Sequence, residues 1–401
     1  MTHDNFKNSS LLSRGMTAVL IAQFLSALAD NALLFAAIAL LKSQHVAEWQ
    51  MPMLQEAFVL AFILLAPFVG PFADAIPKGR AMLLANGMKL LGAAAMLLGT
   101  HPLLAYSLVG IGAAAYSPAK YGILSELVGA DKLVKANSLM EGSTIVAILL
   151  GAVMGGLLAD WSVQGALTAI VGCYLLAALS NLLIPRLPAA HSLQYLSPVT
   201  LVKDFSKALR TLLHNRDARF SLLGTSIFWG AGSTLRFLLV AWVPVALLIT
   251  DNHTPATLSG VVAIGIAFGA GAAAKFITLN NINRALPAGI AIGLLIMVFA
   301  QVTAMPMAII MLILIGACGG FYVVPLNALL QERGHETVGA GHAVAVQNFF
   351  ENLSMLLMVG FYVLLTKAGV TVVTAATGFG ALVFIGIMLL AWWRVSSARH
   401  A

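Results

Sequence analysis

Charge is scarce in this chain. Lys, Arg, Asp and Glu make up 9% of its 401 residues, while 60% are hydrophobic and the mean hydropathy is +0.94. That balance excludes a soluble globular domain of this length and describes a polytopic membrane protein. Cysteine is nearly absent. Cys173 and Cys318 each lie inside an apolar run, which excludes a disulfide framework and a cysteine-rich metal site. The phosphate-cradling pattern Gly-x-x-x-x-Gly-Lys-Ser/Thr does not occur, so nothing here binds a nucleotide through a P-loop, and no cofactor is expected. The polar stretch from Met1 to Ser13 leads into an apolar run that is too long, and carries Asp30, for a cleaved signal peptide.

What the chain has instead is long apolar runs. Segments long enough to span a bilayer fall at 15–41, 53–74, 81–100, 103–125, 134–159, 164–185, 220–249, 257–279, 285–303, 305–330, 338–366 and 370–393, twelve expected helices. Their connections alternate in charge. Lys7 and Arg14, Lys78 and Arg80, Lys132 and Lys135, the group from Arg186 to Arg219, Lys275 and Arg284, Arg333, and Arg394 and Arg399 fall on one side. Lys42 and Lys367 fall on the other, among Glu48, His101, Asp160, Asp251 and His253. By the positive-inside rule both termini are expected in the cytoplasm, and the formal charge of +7 needs no nucleic-acid partner to explain it.

The longest connection divides the chain into an N-terminal half of six spans at 1–185, a cytoplasmic connection at 186–219 and a C-terminal half of six spans at 220–401. Within the connection Leu201, Val202, Phe205, Ala208, Leu209, Leu212 and Leu213 recur at helical spacing with Lys203, Lys207 and Arg210 between them. This is an amphipathic helix, lying either on the inner membrane face or against the loops.

The halves repeat one another. Ala136-Asn-Ser-Leu-Met-Glu141-Gly-Ser-Thr144 in the fifth span matches Val346-Gln-Asn-Phe-Phe-Glu351-Asn-Leu-Ser354 in the eleventh. Tyr116-Ser-Pro118-Ala-Lys120-Tyr121 in the fourth aligns with Phe321-Tyr-Val-Val-Pro325-Leu-Asn327 in the tenth. Two matches six spans apart imply a duplicated six-helix unit. Twelve spans in a 6+6 repeat resemble the major facilitator superfamily, an all-α membrane fold with pseudo-two-fold halves. Gly70-Pro-Phe-Ala-Asp74 resembles the start of that superfamily's loop signature, although Ala75 stands where a basic residue is usual and Gly79-Arg80 come two positions late.

The resemblance narrows with four further stretches: Ala29-Asp-Asn-Ala32, Ala115-Tyr-Ser-Pro-Ala-Lys-Tyr-Gly122, Phe228-Trp-Gly-Ala-Gly-Ser-Thr-Leu-Arg-Phe237 and Val324-Pro-Leu-Asn-Ala-Leu-Leu-Gln-Glu-Arg-Gly334. Over nearly the full length the chain resembles the bacterial lysophospholipid transporter family. The resemblance implies transfer of lysophospholipids, chiefly lysophosphatidylethanolamine, from the outer to the inner leaflet of the bacterial inner membrane. A lysophospholipid acyltransferase/acyl-carrier-protein synthetase on the cytoplasmic side is then the functional partner.

Ionisable residues inside spans carry the chemical expectation, because a charge in hydrocarbon costs at least about 2.5 kcal/mol and so calls for a partner or a cavity. Asp30, Lys89, Lys120, Glu141, Arg236 and Glu351 qualify. The superfamily arrangement implies that Asp30, Lys120, Arg236 and Glu351 converge on a central cavity, with Lys89 apart as a snorkelling residue or a structural bridge. Arg236 and Lys120 suit a phosphate diester, Asp30 or Glu351 suits an ammonium, and phosphoethanolamine carries both groups. Asn31, Tyr121 and Asn352 flank these charges as orienting groups, and Phe228, Trp229, Phe237, Phe349, Phe350 and Met355 offer apolar walls for a tail. The alternative is that the charges pair only with one another, as Asp30 with Arg236 or Lys120 with Glu351.

Gating or coupling is assigned to Asp74, Glu141, and the small-xxx-small pairs Gly151/Gly155 and Gly265/Gly269, which either serve the meeting of the halves or simply pack. A carboxylate accepting Na⁺ or H⁺ would supply ion coupling; otherwise transport is facilitated diffusion by alternating access. Two competing readings stand beside this one. A proton-coupled multidrug or other amphiphile transporter would share the fold. An acyltransferase would need a histidine with an acidic partner five positions on, which does not occur, so no enzyme is expected.

Overall fold

The computed structural model describes residues 13–128, 133–185, 197–338 and 340–398, and every regular element among them is helical. Helix is what the composition demands, since hydrocarbon offers no partner to a backbone N–H or C=O outside the segment's own turns. In chain order the helices are α1 (Arg14–Ser43), α2 (Met53–Ala75), α3 (Lys78–Leu97), α4 (Pro102–Leu127), α5 (Leu133–Trp161) and α6 (Val163–Asn181). Then follow the connecting helix α7 (Pro198–His214), α8 (Arg216–Trp242), α9 (His253–Phe276), α10 (Leu286–Phe299), α11 (Met305–Thr337), α12 (Ala340–Lys367) and α13 (Val372–Ala398).

Setting α7 aside, these twelve helices occupy the twelve expected segments. Ten helices among the described residues are apolar enough throughout to cross a membrane. The other two long ones, α3 and α4, are diluted by Arg80, Asn86 and Lys89 and by Tyr116, Ser117, Pro118 and Lys120. Several of those polar side chains prove to be buried inside the protein. Helix ends follow capping chemistry. Asn215 and Ser162 accept from the backbone N–H three residues on, at 3.0 Å each, opening α8 and α6. Gly99 and Gly369, at φ +95° and +75°, close α3 and α12 where a side chain would strain the backbone.

The chain forms two compact units. The first comprises Met1–Leu40 and Leu60–Lys207, and the second Leu41–Val59 and Ala208–Ala401, so the end of α1 and the start of α2 belong to the second. In the first unit Val19, Ala85, Tyr116, Ile123 and Met140 bring α1, α3, α4 and α5 into one apolar core. Helices α3 and α4 approach through Gly92 and Gly112; a Cβ on Gly112 would stand 2.6 Å from the Ala85 carbonyl oxygen. In the second unit α9 and α11 interlock through Gly265 and Gly269 on one and Gly316 and Gly320 on the other, each meeting backbone of the facing helix. Trp242 closes the end of α8 against Phe299, ring centroids 4.4 Å apart.

The amphipathic α7 buries Phe205, Ala208 and Leu212 and leaves Lys203, Asp204, Lys207 and Arg210 exposed. Those three residues of the apolar stripe are packed on protein, while Val202 of the same stripe is exposed. Burying the Phe and Leu side chains is worth about 1.5–3 kcal/mol each.

Candidate functional site

In the first unit α1 carries Asp30 halfway along its length. The carboxylate has a partner. Lys89 of α3 donates to Asp30 Oδ2 at 2.7 Å, and Tyr174 OH of α6 donates to Oδ1 at 2.7 Å. Lys89 also donates to Ser26 Oγ at 3.0 Å, one turn before Asp30, and the Ser26 hydroxyl donates in turn to Asn86 Oδ1 at 2.7 Å. Lys89 is 2% exposed, so of its two expected roles it is a bridge and not a snorkelling residue. Ser26 and Asp30 are four apart on α1 and Asn86 and Lys89 three apart on α3, spacings that put both residues of each pair on one helix face. Tyr174 had no such signal, being one aromatic in an apolar helix.

Asn31 turns its amide back to the Ala27 carbonyl at 2.9 Å, and Asn352 does the same to Asn348 at 2.7 Å, so both spend a donor on their own helices. Lys120, partly buried on α4, lies 4.3 Å from the centroid of the Tyr121 ring, which favours a cation over its face. Gln23 donates to Thr144 at 3.0 Å, joining α1 to α5. The side chains of Asp74 and Glu141 lie outside the described residues.

In the second unit α12 carries Glu351 and Asn352, 7% and 8% exposed. Gln347, one turn before Glu351, donates to its Oε1 at 2.8 Å and to Asn327 Oδ1 of α11 at 2.8 Å. This glutamine joins the two repeat motifs singled out in the sequence, and only its place in the first of them pointed to it. Arg236 is partly buried on α8 between Leu235 and Phe237. Of the apolar residues expected to line a tail site, Phe237 is 2% exposed and belongs to the core. Phe228 faces a small recess with Leu235, Val262, Ile266, Ile292 and Ile296, all apolar. Phe228 also meets the half-exposed Trp229 edge-on at 5.4 Å, and Phe349 meets Phe350 likewise at 5.7 Å. Met355 takes a hydrogen bond from Gln55 at 3.7 Å.

The two glycine pairs, expected either to serve the meeting of the halves or simply to pack, each meet backbone within their own unit. Gly151 and Gly155 seat α5 on α1 at Leu28 and Ala32, and Gly265 and Gly269 seat α9 on α11 at Gly316 and Ala317. A close approach needs a missing Cβ on both sides or backbone opposite it, and here the facing backbone comes from the same unit.

Residues 19–359 match the Major Facilitator Superfamily. Over 394 residues the chain is 57% identical to the lysophospholipid transporter LplT of Escherichia coli O7:K1 (strain IAI39 / ExPEC), covering 98% of this chain and 99% of that protein. The protein of the same name from Shigella boydii serotype 4 (strain Sb227) is equally similar, at 57% identity with 98% and 99% covered. Among solved structures, a POT family transporter in complex with 5-aminolevulinic acid superposes with a TM-score of 0.77 at 13% identity, covering 99% of both chains. The nucleoside transporter NupG superposes with a TM-score of 0.71 at 13% identity, over 95% of this chain and 98% of its own. At that identity these two are similar in fold alone.

Proposed function

The chain belongs to the major facilitator superfamily, and from that membership we propose that it is a secondary transporter of lysophospholipids, without enzymatic activity. The observation that carries the reading is full-length similarity at 57% identity to proteins named for that transport, in a multi-pass helical protein with ionisable groups held inside its spans. Lysophosphatidylethanolamine is the chief substrate, moved from the outer to the inner leaflet of the bacterial inner membrane for reacylation by the cytoplasmic acyltransferase. Both termini face the cytoplasm, and the six-span halves 1–185 and 220–401 alternate access.

The head group engages Asp30, Asn31, Lys120 and Tyr121 of the first unit and Arg236, Glu351 and Asn352 of the second. Arg236 and Lys120 take the phosphate, since a guanidinium offers a fork of donors and an ammonium a point charge. The carboxylates take the ethanolamine ammonium. Asp74 and Glu141 serve gating or coupling, and the cycle runs without a cofactor, as facilitated diffusion or with Na⁺ or H⁺ as coupling ion.

The test is uptake of labelled lysophosphatidylethanolamine into vesicles containing wild type, Asp30→Asn, Arg236→Ala or Glu351→Gln at equal expression. Wild type should accumulate label and each variant should lose at least about tenfold, the cost of one hydrogen bond to a charged group. Wild-type uptake in all three variants would remove these residues from the site, and no uptake by wild type would remove the substrate.

A further inference from the structure

Lys89 is folded into the first unit with 2% of its surface exposed, instead of reaching for a membrane face. An ammonium in such a place must have its donors met. Two of them go to Asp30 Oδ2 at 2.7 Å and Ser26 Oγ at 3.0 Å, and the Tyr116 ring covers Nζ at 4.9 Å from its centroid. Ser26 and Asn86, both fully buried, hold one another by a 2.7 Å hydrogen bond, so the serine oxygen is turned to accept from the lysine. The ammonium is fixed from three directions.

The other end of the pair is different. The Asp30 side chain is 23% exposed, and its second oxygen accepts from Tyr174, itself fully buried. The pair is thus a fixed dipole, cationic end inside and anionic end open to whatever reaches α1. A mere brace between α1, α3 and α6 would need the charges only to cancel. It would have no use for an open carboxylate edge, nor for a tyrosine fixing its plane.

We propose that Lys89 and Tyr174 are positioning residues for lysophospholipid transport: they supply the counter-charge of Asp30 and fix the direction in which its carboxylate meets the substrate head group. This rests on the reading of Asp30 as a head-group residue. Lys89 acts from behind, through Asp30, and does not touch substrate. Tyr174 sets the rotation of the carboxylate about its own bond.

Purified wild type, Lys89→Met, Tyr174→Phe and the double variant Asp30→Asn/Lys89→Met, reconstituted in vesicles, decide the matter. For each, KM and maximal rate with labelled lysophosphatidylethanolamine are read beside the thermal unfolding midpoint. Lys89→Met should lower both the midpoint and the rate divided by KM, the latter by at least about tenfold. Tyr174→Phe should keep the midpoint close to wild type and raise KM up to about tenfold, with the maximal rate little changed. The double variant should regain the midpoint, having no uncompensated charge, and still fail to transport.

Transport restored in the double variant overturns the proposal, because a brace alone behaves that way. So do wild-type kinetics in Lys89→Met and Tyr174→Phe. Should Lys89→Met not be recovered folded, Tyr174→Phe and the double variant carry the decision. A wild type that moves no lysophospholipid overturns the transport reading and this inference with it, whereas wild-type transport with indifferent variants overturns this inference alone.

Discussion

Gly155 of α5 rests on the backbone of Ala32 in α1: a Cβ added at Gly155 would stand 2.5 Å from the Ala32 carbonyl oxygen and 2.7 Å from its Cα. Gly151, one turn earlier, meets the Leu28 carbonyl and lies 3.1 Å, by the same construction, from the Asn31 Cβ. These two glycines set how deeply α1 is seated beside α5, and so where Asp30 and Asn31 stand. Backbone cannot retreat from a new side chain as a flexible side chain can.

Gly155→Val should therefore push α1 away and cost about 1–3 kcal/mol, the usual penalty of overpacking a tight interface. The expected outcome is a thermal unfolding midpoint several degrees below wild type, with uptake per folded molecule reduced because Asp30 is displaced. An unchanged midpoint would show that α5 is not seated as described.

The second glycine pair allows an internal control. At Gly269 of α9 an added Cβ would run into the Ala317 carbonyl and stand 2.8 Å from the Phe321 nitrogen, whereas at Gly271, two residues on, nothing lies within 4 Å. Gly269→Ala should destabilise by about 1–3 kcal/mol. Gly271→Ala should be neutral or stabilising by up to about 1 kcal/mol, since alanine is the better helix former. Equal shifts in the two unfolding midpoints would refute the close approach of α9 to α11.

Gln347 links the two repeat motifs of the second unit by donating to both Asn327 and Glu351 at 2.8 Å. Gln347→Leu keeps the volume and removes both bonds, leaving a buried carboxylate without that donor, so stability should fall by about 1–3 kcal/mol and uptake about tenfold. Asn327→Ala removes only the outer bond and leaves Gln347 on Glu351, so its effect on uptake should be the smaller. The reverse order, measured at matched expression, would show that the network does not run through Gln347.

How much of this was legible in the sequence depended on which force was at work. Span positions followed from hydrophobicity alone, because crossing hydrocarbon leaves no other choice. The amphipathic face of α7 was legible for the same reason, but not what would cover it, since Phe205, Ala208 and Leu212 look alike whether they meet lipid or protein. Asp30 was legible as costly, and its partner was not. A charge in a span announces a need for compensation without saying who supplies it, and Lys89 sits on α3, where long flexible cations also occur as snorkelling residues. Gly151, Gly155, Gly265 and Gly269 were legible as close-approach sites, while the facing helix was a property of packing. Tyr174 carried no mark at all: a tyrosine among leucines reads as core until its hydroxyl is seen 2.7 Å from Asp30.

Asp217, at the start of α8, accepts from Arg333 Nε of α11 at 3.0 Å and from the Arg394 guanidinium of α13, tying three helix ends of the second unit together. Arg333 reaches on to Glu336 at 2.8 Å, Arg216 donates to the Arg394 carbonyl at 2.7 Å, and the Arg394 guanidinium stands 4.8 Å from the Phe220 ring centroid. The Asp217 side chain is 27% exposed and that of Arg333 33%, so water and salt screen their contact and it is worth at most about 1 kcal/mol. Arg394, 13% exposed, is the costlier one to strand. Asp217→Asn should consequently lower stability by about 1–2 kcal/mol in total. Because the more exposed contact is the screened one, raising salt from 0.05 to about 1 M should shrink the gap to wild type without closing it. Uptake per folded molecule should not change, since the cluster braces helix ends and holds no head-group residue. A gap that vanishes at high salt would mean that Arg394 is no more sheltered than Arg333, and lost uptake at wild-type stability would mean that the cluster takes part in transport.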